Sequence, residues 1–253
     1  MSRIPRVLMT DVSGGMGMAS LKAMLPSVGR EYDLTLLVRD FERNRAAMSP
    51  SMLPFLGRAG LSIVWGDLDD RGALVACLEG CDLVLHMAAF VSPAADYHPT
   101  TAMRVNFGGT RNLVEAVREL GQADATTLVY IGMVVETGDR MPPIHWGRVG
   151  DPIEPSMFDY YAVSKVAAER YVIEWGLGRW VSLRQTGITG PAMARIRDAI
   201  QLHNCLDNVL EYISDRDSCT MMAHLASYDA AGSLPGAFWG HVYNVGGGEA
   251  CPA

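Results

Sequence analysis

VLMTDVSGGMGMASLKAML, residues 7–25, is the stretch on which the reading of this chain turns. A short apolar run, Val7 to Thr10, enters the turn Asp11-Val12-Ser13-Gly14-Gly15-Met16-Gly17, and Met18 to Leu25 then has helical composition. Strand, glycine turn and helix in that order make a cradle for phosphate. Glycines let the backbone approach a pyrophosphate, and the unpaired amides and positive end of the helix bind its charge. Three glycines in four residues also make an ordinary loop, so the weight falls on the rest of the chain.

Beyond the turn, Leu34 to Val38 is a second apolar run, Leu61 to Trp65 a third, Leu83 to Ala89 a fourth, Leu128 to Ile131 a fifth and Val181 to Arg184 a sixth. Helical stretches separate them. Gly72 to Leu78 is one, and Thr101 to Leu120 is another, with Val105, Leu113, Val114, Val117 and Leu120 on a face that Asn106 interrupts. Strands alternating with helices predict a parallel sheet with right-handed crossovers, an α/β fold with a Rossmann-like doubly wound sheet. Residues 1–185 form the dinucleotide-binding domain in this reading. Residues 186–253 form a small C-terminal substrate lobe interleaved with the sheet, in which Met193 to Asn204 and Met221 to Ser227 are helical, and Val209 to Ile213 and His241 to Val245 extended. The stop soon after Gly246-Gly247-Gly248 reads as a truncated lobe.

The second informative stretch is DYYAVSKVAAER, residues 159–170. Tyr161 and Lys165 stand four apart in a segment with no Gly or Pro, so both project from one helical face. An ammonium beside a phenol favours the phenolate and lowers the Tyr pKa toward the working pH, as a general acid for a carbonyl oxygen requires. Taken alone the spacing is common on amphipathic helices. Its place after a nucleotide-binding pattern and a strand gives it meaning. The long proline-bearing stretch from Thr137 to Phe158 precedes it, and Ile144, His145 and Trp146 are candidates to close over a substrate.

Composition narrows the partners. The chain has 253 residues, 49% hydrophobic and 19% charged, with a formal net charge of -7. That suits a sizeable core and argues against nucleic acid or an anionic membrane as partner. No apolar run approaches membrane-spanning length and no signal-peptide pattern opens the chain, which predicts a cytoplasmic protein. Five scattered cysteines predict reduced, buried thiols rather than disulfides or a metal site, even for the Cys77–Cys81 pair. His86, at the end of an apolar strand, reads as a satisfied core imidazole. Arg39 lies 22 residues beyond Gly17, where such folds read the adenosine ribose, and with Arg43 and Arg45 nearby it favours NADP over NAD. Asp40, next to it, offers a hydroxyl partner for NAD.

Together these residues resemble the extended short-chain dehydrogenase/reductase family, also called the NAD-dependent epimerase/dehydratase family. The resemblance runs through the turn Asp11 to Gly17, Gly66-Asp67-Leu68, His86 to Ala89, Val105 to Leu113, Tyr161 to Lys165, Leu183-Arg184 with Gly190-Pro191, and Tyr243 to Gly246. It implies that Gly14, Gly15, Met16 and Gly17 line a pyrophosphate, Arg39 the ribose phosphate, Asp67 and Leu68 the adenine, and Ala88 and Ala89 the nicotinamide. It further implies that Lys165 holds the nicotinamide ribose and depresses the pKa of Tyr161, that Gln185, Thr186 and Ile188 lie near the carboxamide, and that two copies form a homodimer through the helices of Asn106 and Tyr161.

Two positions depart from the family pattern. Asp11 replaces the first glycine of the turn, which places a carboxylate beside a diphosphate. Met133 stands where a Ser or Thr hydroxyl normally meets the substrate oxygen. Val134-Val135 replace the Asp-Glu pair of sugar-nucleotide dehydratases, and Gly187 replaces an Asn of nucleotide-sugar epimerases. The resulting expectation is an oxidoreductase passing hydride between NADP, or NAD, and a small carbonyl or alcohol, with Tyr161 and Lys165 catalytic. The alternatives are a nucleotide-sugar epimerase, or an NADP-binding protein weakened in catalysis.

Overall fold

The computed structural model describes residues 3–52, 59–138, 147–175, 177–191, 209–248 and 250–252. The predicted helix from Met193 to Asn204 and the residues Ile144, His145 and Trp146 lie outside the described residues. Strands form where the apolar runs fall: β1 (Arg6–Met9), β2 (Asp33–Val38), β3 (Leu61–Trp65), β4 (Leu83–His86), β5 (Thr127–Met133), β6 (Arg179–Gln185) and β9 (His241–Val245). All pair in parallel, in the order β3-β2-β1-β4-β5-β6-β9. The central strands are buried on both faces, which is why they read as continuous apolar runs rather than alternating ones. The seventh strand, β9, is a finding: the sequence marks it as extended, and the structure adds it to the sheet beside β6.

Helices cover both faces. On one lie α3 (Arg71–Leu78), α6 (Gly109–Glu119) and α7 (Tyr160–Trp175), which bury Leu74, Leu78, Leu113, Val117 and Val172 against Leu8, Val84 and Leu128. On the other lie α1 (Gly15–Met24) and α8 (Asp215–Ala230), which bury Leu21, Met24, Met222 and Ala226 against Leu34, Leu85 and Val181. Strand order reverses between β1 and β4, and in open α/β sheets ligands bind outside the strand ends at such a point. The short helix α2 (Glu42–Met52) contributes Met48 to the core.

The interrupted helix of the sequence has a local cause. The short helices α4 (Ala94–Tyr97) and α5 (Pro99–Ala102) lead into a π-helical segment at Met103–Gly108, which α6 then continues. Asn106, at the centre of that widened turn, is buried. Its amide accepts from Phe90 N at 2.6 Å and donates to Phe90 O at 3.0 Å and to Ser164 Oγ at 2.8 Å. It thereby ties the loop after β4 to α7.

Past β6, the strands β7 (Gly187–Thr189), β8 (Val209–Ser214) and β10 (Ala250–Pro252) form a separate small sheet in the order β10-β8-β7. Helix α8 returns from it onto α1, where Cys219 Sγ meets Met16 O at 3.3 Å. Cys77, Cys81 and Cys219 are buried free thiols, and burial pushes Cys77 and Cys81 up to about 12. No group of metal-ligating residues occurs among the described residues, and no described helix is long and apolar enough to cross a membrane.

Candidate active site

The glycine turn after β1 is built around Asp11. Its φ of 59° lies in the left-handed region, which explains why glycine is the natural occupant there. Aspartate is among the few side chains that tolerate it. Gly14 N donates to Asp11 O at 3.1 Å, and a Cβ on Gly17 would collide with that same carbonyl. A Cβ on Gly14 would lie 2.5 Å from Asp11 Oδ2, so the carboxyl group sits over the floor of the cradle. Burial raises its pKa from 3.8 to about 7, opposed by the Arg39 guanidinium. Gly15 is open, and the first turn of α1 has neither a side-chain cap nor an acid. Its amides are therefore available to an anion.

Arg39 is exposed just past β2, on the Asp11 side of the fold. Arg45 pairs with Asp40 at 2.6 Å and lies 4.2 Å from the centre of the Trp65 ring, so it is partly engaged before any ligand arrives. Asp67 Oδ1 accepts from Leu68 N at 2.7 Å, and the Leu68 side chain is buried against Gly109 of α6. Ala88 and Ala89 follow β4 half-buried, with Ala88 N donating to Thr10 Oγ1 at 3.1 Å.

Thr10, which the sequence does not single out, organises this edge. Its hydroxyl oxygen accepts from Met87 N and Ala88 N, so its proton goes to His86 Nδ1 at 3.1 Å. His86 Nε2 then donates to Thr110 Oγ1 at 2.9 Å, and Thr110 to Asn106 O at 2.6 Å. Burial, with Lys165 nearby, lowers His86 to about 3. It is the neutral core imidazole that its strand position predicts.

Tyr161 and Lys165 both lie on α7, whose first turn is capped by Asp159 accepting from Ala162 N at 2.7 Å. Tyr161 is half-buried and Lys165 buried. The ammonium does not serve the phenol in this conformation. Lys165 Nζ donates to Ile131 O at 2.6 Å and lies 4.2 Å from the centre of the Tyr130 ring. Burial lowers Lys165 to about 8, resisted by Glu136 and Glu169. The Tyr161 phenol is raised, by burial first and then by Glu136 and Asp159. This corrects the expectation that the pair by itself lowers the phenol: desolvation prevails while the ammonium is engaged by Ile131 O and the Tyr130 ring.

Behind the pair is a buried ionic cluster that no sequence motif announced. Glu169 of α7 accepts from Arg184 Nε at 3.0 and 3.1 Å and from Arg184 Nη2, and Ser182 Oγ donates to it at 2.5 Å. Glu136 lies on the single helical turn Val134–Thr137 after β5 and is fully buried. Its Oε1 accepts from Met133 N at 2.8 Å, and burial and Glu169 raise it to about 8. Met133 ends β5 opposite Gln185 of β6, with a thioether in place of a hydroxyl.

At the end of β6, Gln185 Oε1 accepts from Ser218 Oγ at 2.7 Å, while Gln185 Nε2 and Thr186 Oγ1 are buried with no partner. Ile188 is half-buried in β7. A Cβ on Gly187 would lie 2.7 Å from Tyr212, so the ring of Tyr212 takes the room a side chain would need. An open glycine turn, an uncapped helix and two unsatisfied polar groups at the far strand end fit the two ends of a dinucleotide. The Asp11 carboxyl over Gly14 is the one feature that opposes it.

The chain is 28% identical over 206 residues to a 3 beta-hydroxysteroid dehydrogenase/Delta 5→4-isomerase of Mycobacterium tuberculosis, covering 78% of this chain and 47% of that protein. It is 26% identical over 190 residues to a GDP-6-deoxy-D-mannose reductase of Pseudomonas aeruginosa, covering 66% and 58%. The chain thus spans about half the length of these curated relatives. In fold it is similar to a dTDP-glucose 4,6-dehydratase double mutant from Streptomyces venezuelae with NAD bound, with a TM-score of 0.74, 21% identity, and 98% of this chain and 77% of that one covered. It is also similar to a UDP-glucose 4-epimerase of Thermus thermophilus in complex with NAD, with a TM-score of 0.70, 23% identity, and 98% and 79% covered. Residues 7–246 match the model of the NAD dependent epimerase/dehydratase family, and the chain belongs to that family.

Proposed function

We propose that the chain is an NAD(P)-dependent oxidoreductase acting on a small carbonyl or alcohol, with Tyr161 giving or taking the proton of the substrate oxygen. The observation that carries this reading is the pairing of Tyr161 and Lys165 one turn apart on α7, at the edge of the sheet that also holds the unpartnered Gln185 Nε2 and Thr186 Oγ1. A bound nicotinamide supplies or accepts the hydride. The chain's own residues do the rest: Gly14 to Gly17 and the amides of α1 hold the diphosphate, Ala88 and Ala89 leave room for the ring, and Gln185 and Thr186 offer their free groups to the carboxamide. Lys165 holds the ribose once its ammonium leaves the Ile131 carbonyl. From there it stabilises the phenolate that the resting conformer disfavours. Two copies pair through α6 and α7, whose neighbourhood exposes Met103, Ile173 and Trp175.

Arg39 selects the cofactor in this reading, its guanidinium meeting a 2′-phosphate. A charge-assisted contact of that kind contributes roughly 1.5 kcal/mol or more. Arg39→Ser is therefore expected to reduce the preference for NADPH over NADH by about tenfold, read by fluorescence titration with each nucleotide. An unchanged ratio would place the ribose elsewhere.

The direct test of turnover follows nicotinamide absorbance with NADPH or NADH and a panel of small ketones and aldehydes, and in reverse with alcohols. Oxidation of the cofactor by at least one carbonyl is the expected result. A second reading, dinucleotide binding without chemistry, is favoured by the inward seat of Lys165 and by Met133. It predicts nucleotide binding with no turnover on any substrate. Epimerisation of a nucleotide sugar is disfavoured by Tyr212 over Gly187, which leaves no space for the asparagine such enzymes use.

A further inference from the structure

Glu136 is the buried ionisable group that the proposed reaction leaves unused, and its seat is specific. The carboxyl lies against Gly132: a Cβ there would come 3.1 Å from Glu136 Oε1, 3.0 Å from Ser182 Oγ and 3.1 Å from Arg184 Cγ. A side chain at position 132 would press on Glu136, Ser182 and Arg184 at once. Oε1 is held by Met133 N, whereas Oε2 is fully buried with no hydrogen-bond partner. The guanidinium of Arg184 does not account for it. Arg184 Nε is 3.9 Å from Glu136 Oε2, and the fork of Arg184 is already taken by Glu169. A valine or leucine would fill this space without the desolvation cost of an acid.

The other cation at this end of β5 is Lys165, whose Nζ is held by Ile131 O while Glu136 Oε1 is held by Met133 N two residues further along the strand. The geometry points to Glu136 as the positioning residue for Lys165, keeping its ammonium charged and seated inside the fold, ready for the dinucleotide. The inference rests on the reading of Lys165 as the cation of the nucleotide site. The groups that face Glu136 are Lys165, Glu169 and Tyr161 of α7, Arg184 of β6 and Tyr130 of β5. Glu169 and Arg184 neutralise one another, which leaves Glu136 and Lys165 as a pair: burial raises the carboxyl and lowers the ammonium, and each charge opposes that shift in the other. Such a pair loses its protons jointly. With one proton fewer than full, the arrangement that pairs a carboxylate with an ammonium is the favoured one, and Lys165 keeps its charge to higher pH than its burial alone allows.

The chain contains only two lysines, Lys22 and Lys165, and Lys22 is exposed. Protein labelled at lysine Cε and Nζ therefore gives two side-chain NMR signals, and Lys165→Arg identifies the buried one. In Glu136→Gln, which keeps the shape and the Met133 contact, the Lys165 midpoint is expected to fall by about one unit. An unchanged midpoint overturns the proposal, since a carboxyl that merely fills space would be replaced by the amide without effect. The wild-type protein supplies a check that needs no variant: Lys165 should titrate over a range broader than a single site, and a single-site curve counts against the pairing.

The second measurement is NADPH affinity against pH for wild type and Glu136→Gln. Asp11 contributes equally to both, so their ratio isolates Glu136. Loss of affinity at alkaline pH is expected to begin about one unit lower in Glu136→Gln, in step with Lys165. If the lysine signal moves and the affinity ratio does not, Glu136 positions Lys165 as inferred, and the role of Lys165 in nucleotide binding is what fails.

Discussion

Asp11→Gly is expected to tighten NADPH binding about tenfold at pH 8 and hardly at all at pH 6. The carboxyl lies over Gly14, on the cradle floor where a diphosphate sits in this fold. At about 5 Å and an effective dielectric near 20, a carboxylate repels a phosphate charge by about 3 kcal/mol, or two decades in affinity, but a carboxyl with a pKa of about 7 escapes this at pH 8 by taking up a proton, which limits the loss there to about tenfold. The pH dependence follows from the raised pKa of about 7. Below it the carboxyl is neutral and the repulsion vanishes, so wild-type affinity should fall as pH rises through about 7, while the glycine variant stays level there. Asp11→Asn separates charge from backbone strain. It keeps the side chain and the left-handed conformation, yet should match the glycine variant at pH 8. Asparagine binding no tighter than wild type would show that charge is not the obstacle. Stability carries the same sign: a folded pKa above the unfolded 3.8 means the contribution is full below about 3.8 and is lost as pH rises through about 7. Thermal unfolding of wild type against Asp11→Asn should therefore diverge toward pH 8, with asparagine the more stable.

That titration is hidden in the sequence, although the residue is not. Asp11 is visible as a departure because the turn pattern is local, seven residues long, and needs no tertiary knowledge. Its protonation depends on how deeply the turn sits between β1 and α1, and on Arg39 arriving from the end of β2. The same division holds elsewhere. Leu34 to Val38 and Leu83 to His86 declare themselves as strands because burial on both faces writes an unbroken apolar run. His241 to Val245 is equally legible as extended, yet nothing local says that it pairs with β6 in the main sheet. Asn106 shows as a polar break in an apolar face, while its purpose lies in Phe90 and Ser164, 16 and 58 residues away. Glu136 is the extreme case. A glutamate after a strand reads as solvated, and only its approach to Glu169, Lys165 and Arg184 makes it a buried acid. Tyr161 and Lys165 are legible as a pair because helical periodicity fixes their relation. The direction of the lysine is not, since it is set by the carbonyl of Ile131 and the face of Tyr130.

Met133→Thr is expected to raise turnover of a small carbonyl by about 10²- to 10³-fold, the usual cost of one missing donor to a developing oxyanion. The position suits the change. Met133 ends β5 in extended backbone, φ -143° and ψ 139°, where a β-branched residue is at ease, and its main-chain contacts are independent of the side chain. Met133 is the N-cap of the Val134–Thr137 turn, where a threonine hydroxyl can accept from the turn's amides while still offering its proton to a substrate. Tyr161→Phe then asks whether the phenol is the proton donor. Removing it is expected to abolish turnover in both backgrounds, because hydroxyl and phenol serve the same oxygen, and losses within such a unit do not add. Steady-state rates for the four proteins, with nucleotide affinity measured alongside, close the cycle. A threonine variant no faster than wild type would mean that the hydroxyl is not what this site lacks, and turnover that survives Tyr161→Phe would remove the phenol from the reaction. If both variants bind nucleotide as wild type does and none of the four turns over, the inward seat of Lys165 is the working conformation. The chain is then a dinucleotide-binding protein whose phenol remains protonated because no cation comes to meet it.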